Sequence, residues 1–299
     1  MTWRRVLEGA SPDREIFLIA RLPRILFGAV AGGSLAVAGV LFQAILRNAL
    51  ATPFTLGVSA GSSFGAVLAI WLGLEVVVFG VPVVSVAAFL GAMLTIALVF
   101  MIARTRHALP TFTLLLAGVT LNFIFAALIL FIHYAATFTE TFLMVRWMMG
   151  GVSDVSYSMI LKTAPPVLVA VAVLVWHAPA FNLLAAGEDW AATRGVDVER
   201  LKKTGFIAGS LLTGLITAVA GPIGFVGLIV PHALRLVGAS DHRVLIPGAF
   251  FVGGGFLVLC DTAARTILAP AELPVGVITA LLGGPFFIWL LKRRSGDLF

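Results

Sequence analysis

The stretch RILFGAVAGGSLAVAGVLFQAIL, residues 24–46, decides the fold class. After Arg24 it runs for 22 residues without a charged side chain, and a helix needs about 20 mostly apolar residues to cross a bilayer. Its glycines and alanines recur at helical spacing, which favours close packing against other membrane helices. The stretch therefore predicts a transmembrane helix that is packed on several sides by the rest of the chain.

The composition of the whole chain agrees with this prediction. Of the 299 residues, 60% are hydrophobic and 11% are charged, and the mean hydropathy is +1.09. Soluble domains carry about 25% charged residues, so this chain has too few charges to cover a globule. That excludes a soluble enzyme, a disordered chain and a nucleic-acid binder. The single cysteine, Cys260, excludes a disulfide framework and a cysteine-based metal cluster.

Apolar runs recur along the entire chain and predict an all-α membrane protein, a polytopic bundle of about nine spans. Its seventh run is short and contains Pro231, so it is either a broken helix or a helix packed wholly inside protein. The nine predicted segments are 25–46, 54–73, 77–103, 111–134, 159–179, 205–223, 225–238, 245–268 and 274–291. We expect residues 1–299 to form one transmembrane domain.

Lysine and arginine predict which ends lie inside, because cytoplasmic loops are enriched in both. With residues 292–294 inside, twelve of the twenty basic residues lie in inside loops and three in outside loops. The N-terminal stretch breaks this rule, since it is placed outside yet carries five arginines. Either a further N-terminal span is missing from this chain, or some of these arginines are outside because they bind a partner; both can hold.

The longest inside connection is 180–204, which contains eight charged residues. Within it, GEDWAATRGV (187–196) predicts a short helix that ends at Gly195, since glycine is the usual residue just beyond a helix C-terminus. Such a segment is either a solvated connector or a helix that docks in a groove of a soluble partner.

These blocks together resemble the FecCD-type permeases, the membrane subunits of ATP-binding-cassette (ABC) importers for iron-siderophores, haem and vitamin B12. The resemblance is closest to the vitamin B12 importer permeases, with two mild departures at Ala49 and Ser62. The family usually has ten spans, and its first helix has no counterpart here. The matching blocks are 21–61, RWMMGG (146–151), 187–196, 221–249 and 261–291.

The resemblance implies a role for several residues at the outer ends of the helices. Arg21 and Arg24 of RLPR would bind glutamates of a solute-binding protein outside the membrane, with Arg265 as a third member of the set. Arginine suits this contact because its guanidinium binds carboxylates in a bidentate manner. The alternative is interfacial anchoring for Arg21 and Arg24, and an ion pair one helical turn away with Asp261 for Arg265.

At the inner side, the resemblance implies that residues 185–203 form the coupling helix that fits a cleft of the ATPase subunit. Thr111 and Phe112 would belong to the cytoplasmic gate, although Thr111 could equally cap its helix, and Phe112 departs from the small hydroxyl residue expected there. The residues predicted to couple to the ATPase are Gly187, Glu188, Ala191, Arg194, Gly195 and Val196.

The function that follows is the permease subunit of an ABC importer for a metal chelate, in the inner (plasma) membrane of a bacterium. The chain lacks the G-x-x-x-x-G-K-[ST] motif, so ATP and magnesium are expected on a separate ATPase. A secondary transporter is the alternative, but it would need intramembrane ionisable sites, and only Asp261 qualifies. We expect no catalytic, cofactor or metal site here. The expected partners are the ATPase, a periplasmic or lipid-anchored solute-binding protein, a second copy of the permease in a homodimer, and membrane lipid, but no nucleic acid.

Overall fold

The computed structural model describes residues 12–103, 110–153 and 155–295, and most of them lie in helices. Four of the basic residues counted in the sequence analysis, namely Arg4, Arg5, Arg104 and Arg106, lie outside the described residues. The helices are α1 (Pro12–Glu15), α2 (Leu22–Ile45), α3 (Val58–Trp71), α4 (Val83–Ala103), α5 (Thr111–Ala135), α6 (Phe138–Met148), α7 (Tyr157–Trp176), α8 (Ala178–Ala186), α9 (Glu188–Thr193), α10 (Val198–Ala220), α11 (Val226–Leu236), α12 (His242–Thr266) and α13 (Val275–Ser295). A π-helical segment, Ile16–Arg21, joins α1 to α2.

The predicted all-α membrane architecture is confirmed. Among the described residues, six helices are long and apolar enough to cross a membrane, and α3, α11 and the part Val275–Leu290 of α13 form shorter apolar helices. Each of these nine overlaps one predicted segment. The start of the third segment was predicted too early. Its first residues form a two-stranded antiparallel hairpin, β1 (Val77–Val78) and β2 (Val81–Pro82), and α4 begins after it.

Helix α2 lies at the centre of the bundle, as its glycine-rich sequence indicates. It packs against α12, where a Cβ on Gly32 would stand 2.2 Å from the carbonyl oxygen of Gly253. It also packs against α11, where a Cβ on Gly39 would stand 2.0 Å from the carbonyl oxygen of Gly227. A larger residue at either glycine would therefore force two helix backbones apart.

The seventh predicted segment is an unbroken short helix packed inside the protein. Helix α11 has 11 residues, and Pro231 lies within it together with the buried residues Val226 and Val230. Phe225 precedes the helix in the left-handed conformation, with φ of +66°, which bulky side chains rarely adopt. Of the two predicted alternatives, the structure thus has a helix packed inside protein and not a broken helix. Packing of this kind accommodates a helix that is too short to span a bilayer alone.

Helix ends that were assigned to the same side of the membrane lie together in the structure. At the outer end, the N–H of Gly151 donates to the carbonyl of Ala220 at 2.7 Å, and Lys162 donates to the carbonyl of Phe79 at 2.7 Å. At the inner end, one cleft is lined by residues from the end of α2, the end of α11 and the start of α12. These contacts agree with the sidedness deduced from the basic residues.

Candidate functional site

An ion cluster joins the outer ends of α2 and α12. Arg24 donates through Nε to both carboxylate oxygens of Asp261, at 2.9 and 3.1 Å, and through Nη2 to Oδ1 at 2.8 Å. The two side chains are only 10% and 5% exposed. Since a buried charge is tolerated only when it is paired and hydrogen-bonded, this bidentate pair ties the two central helices together at their outer ends.

Two further side chains complete the outer cluster and differ in exposure. Arg265 lies one turn beyond Asp261 on α12, and its Nε stands 3.3 Å from Asp261 Oδ2, with 19% of the side chain exposed. Glu272, after α12, accepts from Arg24 Nη1 at 2.7 Å while 50% of its side chain is exposed. The outer cluster, defined here as Arg24, Asp261, Arg265 and Glu272, thus has a buried carboxylate and an exposed one.

The three arginines assigned to partner docking are therefore not equivalent. Arg21 is exposed at the end of the π-helical segment, whereas Arg24 is buried and bound by two carboxylates of the same chain. For Arg265, the structure contains the ion pair with Asp261 that the sequence offered as the alternative. The structure brings Arg24 and Arg265 together around Asp261, and of the three arginines Arg21 is the one classed as exposed.

The segment between α8 and α10 contains the short helix that the sequence predicted. Gly187 separates α8 from α9 with φ of +151°, and Gly195 follows α9 with φ of +80°. The N–H of Gly195 donates to the carbonyl of Ala192, and the N–H of Val196 to the carbonyl of Ala191, at 3.0 and 3.1 Å. These two bonds form a Schellman motif, which ends the helix sharply at the predicted glycine.

Helix α9 is held on one side and open on the other. On the face that packs against the bundle, Ala191 is fully buried, and the carboxylate of Glu188 forms an ion pair with Lys202 of α10 at 2.6 Å. On the exposed face of α9, Trp190 is 53% exposed, and the guanidinium of Arg194 lies 4.7 Å from the centre of the Trp190 ring. Glu188 and Ala191, which are predicted to contact a partner, thus also hold the helix against the rest of the chain.

The structure also places the predicted gate residues. Thr111 and Phe112 are the first two residues of α5, and Phe112 is 75% exposed. The position before the helix is Pro110, and no side chain caps this helix end, so the alternative role of Thr111 as a cap is wrong.

Three residues that the sequence analysis did not single out belong to these sites. Glu272 was missed because its partner Arg24 is 248 residues away in the chain. Lys202 was counted only as an inside charge, although it is the buried lysine that anchors α9. Trp190 carried a signal that could have been used, because an aromatic residue in a charged short helix is typical of a protein contact.

Comparison with known proteins agrees with these features along the length of the chain. Residues 1–293 match the family model described as the FecCD transport family. This chain belongs to that family. It is 44% identical over 284 residues to an ABC transporter permease protein of Bacillus subtilis, covering 94% of this chain and 79% of that protein. It is also 44% identical over 275 residues to the cobalamin import system permease protein BtuC of Halobacterium salinarum, covering 92% and 73%.

A solved structure adds to the FecCD assignment. An inward-facing conformation of a metal-chelate type ABC transporter matches with a TM-score of 0.85 and 32% identity, over 95% of this chain and 90% of that chain. This FecCD member is accordingly a multi-pass membrane permease of the ABC importer type, and the resemblance deduced from the sequence is confirmed.

Proposed function

We propose that this chain is the membrane subunit of an ABC importer that carries a metal chelate, of the class of vitamin B12, iron-siderophores or haem, across the inner (plasma) membrane. Two copies would form a central pathway, served by two ATPase subunits inside and one solute-binding protein outside. The cobalamin importer named for the Halobacterium salinarum relative makes a corrinoid the first cargo to test. ATP and magnesium would be bound by the ATPase, and the metal chelate is cargo.

The observation that carries this proposal is the construction of α9. A secondary transporter has no need for a short helix bounded by Gly187 and Gly195 and presented at the inner side of the bundle. The ion pair between the buried Lys202 and the partly exposed Glu188 ties α9 to α10. Force applied to the exposed side of α9 would therefore reach a membrane helix directly, which is the property that ATP-driven alternating access requires.

Trp190 and Arg194 are the residues we assign to the contact with the ATPase. Both are exposed on α9, and the stacked guanidinium limits the freedom of the indole ring. Aromatic and arginine side chains of this kind dominate the energetics of protein interfaces. Gly187, Gly195 and Val196 would shape the segment, whereas Glu188 and Ala191 would hold it in place.

On the outer side, docking of the binding protein would begin at Arg21. A carboxylate of the partner could then replace Glu272, the exposed carboxylate of the outer cluster, on Arg24, while the buried Asp261 remains bound. Arg265 would contribute positive potential at the rim. Opening and closing of the pathway would follow ATP binding and hydrolysis, with Thr111 and Phe112 at the inner gate and with α5 and α13 along the route.

The decisive experiment is reconstitution in proteoliposomes with the cognate ATPase and binding protein, followed by uptake of cyanocobalamin, a ferric siderophore or haem. We expect uptake to require ATP, the ATPase and the loaded binding protein. Uptake driven by an imposed proton gradient without ATP would contradict the proposal and favour a secondary transporter. The binding protein alone, titrated with each chelate, identifies the cargo.

Trp190→Ala tests the assigned contact within the same system. Loss of an interface anchor costs about 2 kcal/mol or more, so we expect the affinity for the ATPase to fall about 30-fold. Arg243→Ala is the matched control, because Arg243 is exposed at the same inner side but lies outside residues 185–203. Equal affinities for the wild type and Trp190→Ala would remove α9 from the interface.

A further inference from the structure

A cleft at the inner end of the bundle is lined by arginines that form no ion pair with a carboxylate of the described residues. It has a volume of about 750 Å³ and opens between the loop after α2 and the ends of α8, α11, α12 and α13. Two arginines and two histidines line it, together with amide and hydroxyl groups, and no carboxylate is among its described lining residues. The basic residues are Arg47, His232, Arg235 and His242.

Arg235 is held in this cleft by an amide. Its Nη1 donates to Oε1 of Gln43, and Gln43 is itself oriented because its Nε2 donates to the carbonyl of Gly227 at 3.2 Å. No aspartate or glutamate of the described residues lies within 4 Å of the guanidinium. A guanidinium has five N–H donors, so most of the hydrogen-bonding capacity of Arg235 is directed to groups outside this contact.

His242 provides an unpartnered nitrogen at the same cleft. The residue is 4% exposed, and its Nδ1 and backbone N–H both contact Oδ1 of Asn182, at 2.7 and 2.8 Å. Because that oxygen is an acceptor, the ring proton is on Nδ1. Nε2 is buried and has no hydrogen-bond partner among the described residues. With the ring proton on Nδ1, Nε2 carries a lone pair. A buried acceptor left unpaired costs about 1–3 kcal/mol, which favours a ligand with a hydroxyl group that donates to Nε2.

Asp241 maintains the orientation of this group. Asn182 Nδ2 donates to Asp241 Oδ1 at 2.6 Å, and this bond, with the N–H of Arg243, holds the pKa of Asp241 below its ordinary value. The carboxylate therefore remains an acceptor, the amide oxygen of Asn182 remains directed at His242, and Nε2 remains the free nitrogen of the ring.

We propose that this cleft binds the phosphate group of an anionic phospholipid from the inner leaflet. Basic clefts between membrane helices at the cytoplasmic side are suited to such head groups. The apolar residues Leu236 and Val237 lie beside the cleft and are 52% and 79% exposed, so an acyl chain can lie next to the bound head group. Free phosphate would make the same polar contacts but has no acyl chain to pack against Leu236 and Val237.

Occupancy of the cleft would stabilise the platform that carries α9. Ala185, in the last turn of α8, lines the cleft, and Asn182 of the same helix holds His242 of α12. A phospholipid whose phosphate accepts from Arg235 and whose head-group hydroxyl donates to Nε2 of His242 would strengthen the contact of α8 with α11 and α12. The lipid would thus rigidify the region next to Gly187, whatever partner α9 contacts.

Native mass spectrometry of the full chain, released from nanodiscs of phosphatidylglycerol and phosphatidylcholine, tests this site without the ATPase or the binding protein. We expect phosphatidylglycerol to be retained about tenfold more tightly than phosphatidylcholine. Arg235→Gln, and independently Arg47→Gln on the exposed loop, should remove most of that preference. Arg243→Gln is the matched control, because Arg243 is exposed on the same side but does not line the cleft.

The other outcomes overturn the proposal. Equal retention of the two lipids, or an unchanged preference in both Arg235→Gln and Arg47→Gln, would show that the cleft does not select a phosphodiester anion. If inorganic phosphate at millimolar concentration displaces phosphatidylglycerol completely, the site takes free phosphate and the assignment to lipid is wrong. Melting temperatures of each variant, measured beside the wild type, separate loss of binding from loss of folding.

Discussion

The arginines of the outer cluster and of the inner cleft differ in whether a carboxylate of the same chain binds them. At the outer end, Arg24 is bound by Asp261 and Glu272 of the same chain. At the inner end, Arg235 is bound by an amide, and no described carboxylate is near it. The comparison indicates that the outer arginine chiefly holds helices together, whereas the inner arginine is available to an anion from outside the chain.

The largest expected effect comes from removing the buried carboxylate of the outer cluster. Asp261→Asn leaves Arg24 buried without its main counter-charge, and breaking one side of a buried pair costs about 3–5 kcal/mol. We expect a strongly lowered melting temperature in detergent. The double variant Arg24→Met/Asp261→Leu should recover much of the loss, since the two charges it leaves without their partners, Arg265 and Glu272, are the more exposed ones of the cluster. A wild-type melting curve for Asp261→Asn would mean that the pair does not hold the helices.

Charge reversal at the exposed arginine tests the outward function of the same end. Arg21→Glu should lower the affinity for the cognate binding protein at least tenfold in nanodiscs, because it replaces an attractive contact with a repulsive one. Arg146→Glu is the control, since Arg146 is exposed at the outer side but is not in the docking set. Unchanged complex formation in a pull-down with Arg21→Glu would overturn the assignment.

The inner end depends on a backbone turn, and Gly195 is where that turn can be broken. A side chain with φ near +80° costs about 1–2 kcal/mol, and no atom lies within 4 Å of the Cβ position, so the effect of Gly195→Val is conformational. We expect fewer chelate molecules transported per ATP hydrolysed. Gly195→Asn, which tolerates the left-handed conformation, should transport normally, and equal ratios in both variants would contradict this role.

The smallest effect is expected at the exposed carboxylate of the outer cluster. Glu272→Gln removes a half-exposed ion pair, and such pairs contribute about 0–1 kcal/mol, so the melting temperature should barely change. Because Arg24 then lacks its exchangeable partner, affinity for the binding protein should rise by up to about fivefold. A weaker complex would show that Glu272 itself takes part in docking.

Local patterns predicted much of this molecule. Uninterrupted apolar runs predicted the membrane helices, the pair one turn apart predicted the Arg265–Asp261 contact, and Gly195 predicted the end of α9. The hairpin at residues 77–82 was missed because its valines continue the apolar run of α4. Helix α6 was missed because it is short, although Thr137 and Glu140 form a capping box, which marks the start of a helix.

Contacts between distant segments could not be predicted from the sequence. Arg24 and Asp261 are 237 residues apart, and Gln43 and Arg235 are 192 residues apart, so no periodicity relates them. The sequence could place Arg24 at the outer end but could not say that its guanidinium is already bound. Physical reasoning on charge needs the partner, and the partner is supplied by the packing of α2 against α11 and α12.

One side-by-side measurement tests the comparison most directly, namely the thermal unfolding of Arg24→Met and Arg235→Met in the same detergent without anionic lipid. Arg24→Met leaves the buried Asp261 with only the longer contact to Arg265, and breaking a buried pair in this way costs about 3–5 kcal/mol. Arg235→Met instead removes a partly buried cation that has no counter-charge among the described residues. We predict a fall of many degrees for Arg24→Met and a melting temperature near that of the wild type for Arg235→Met. Equal falls in the two variants would contradict the account.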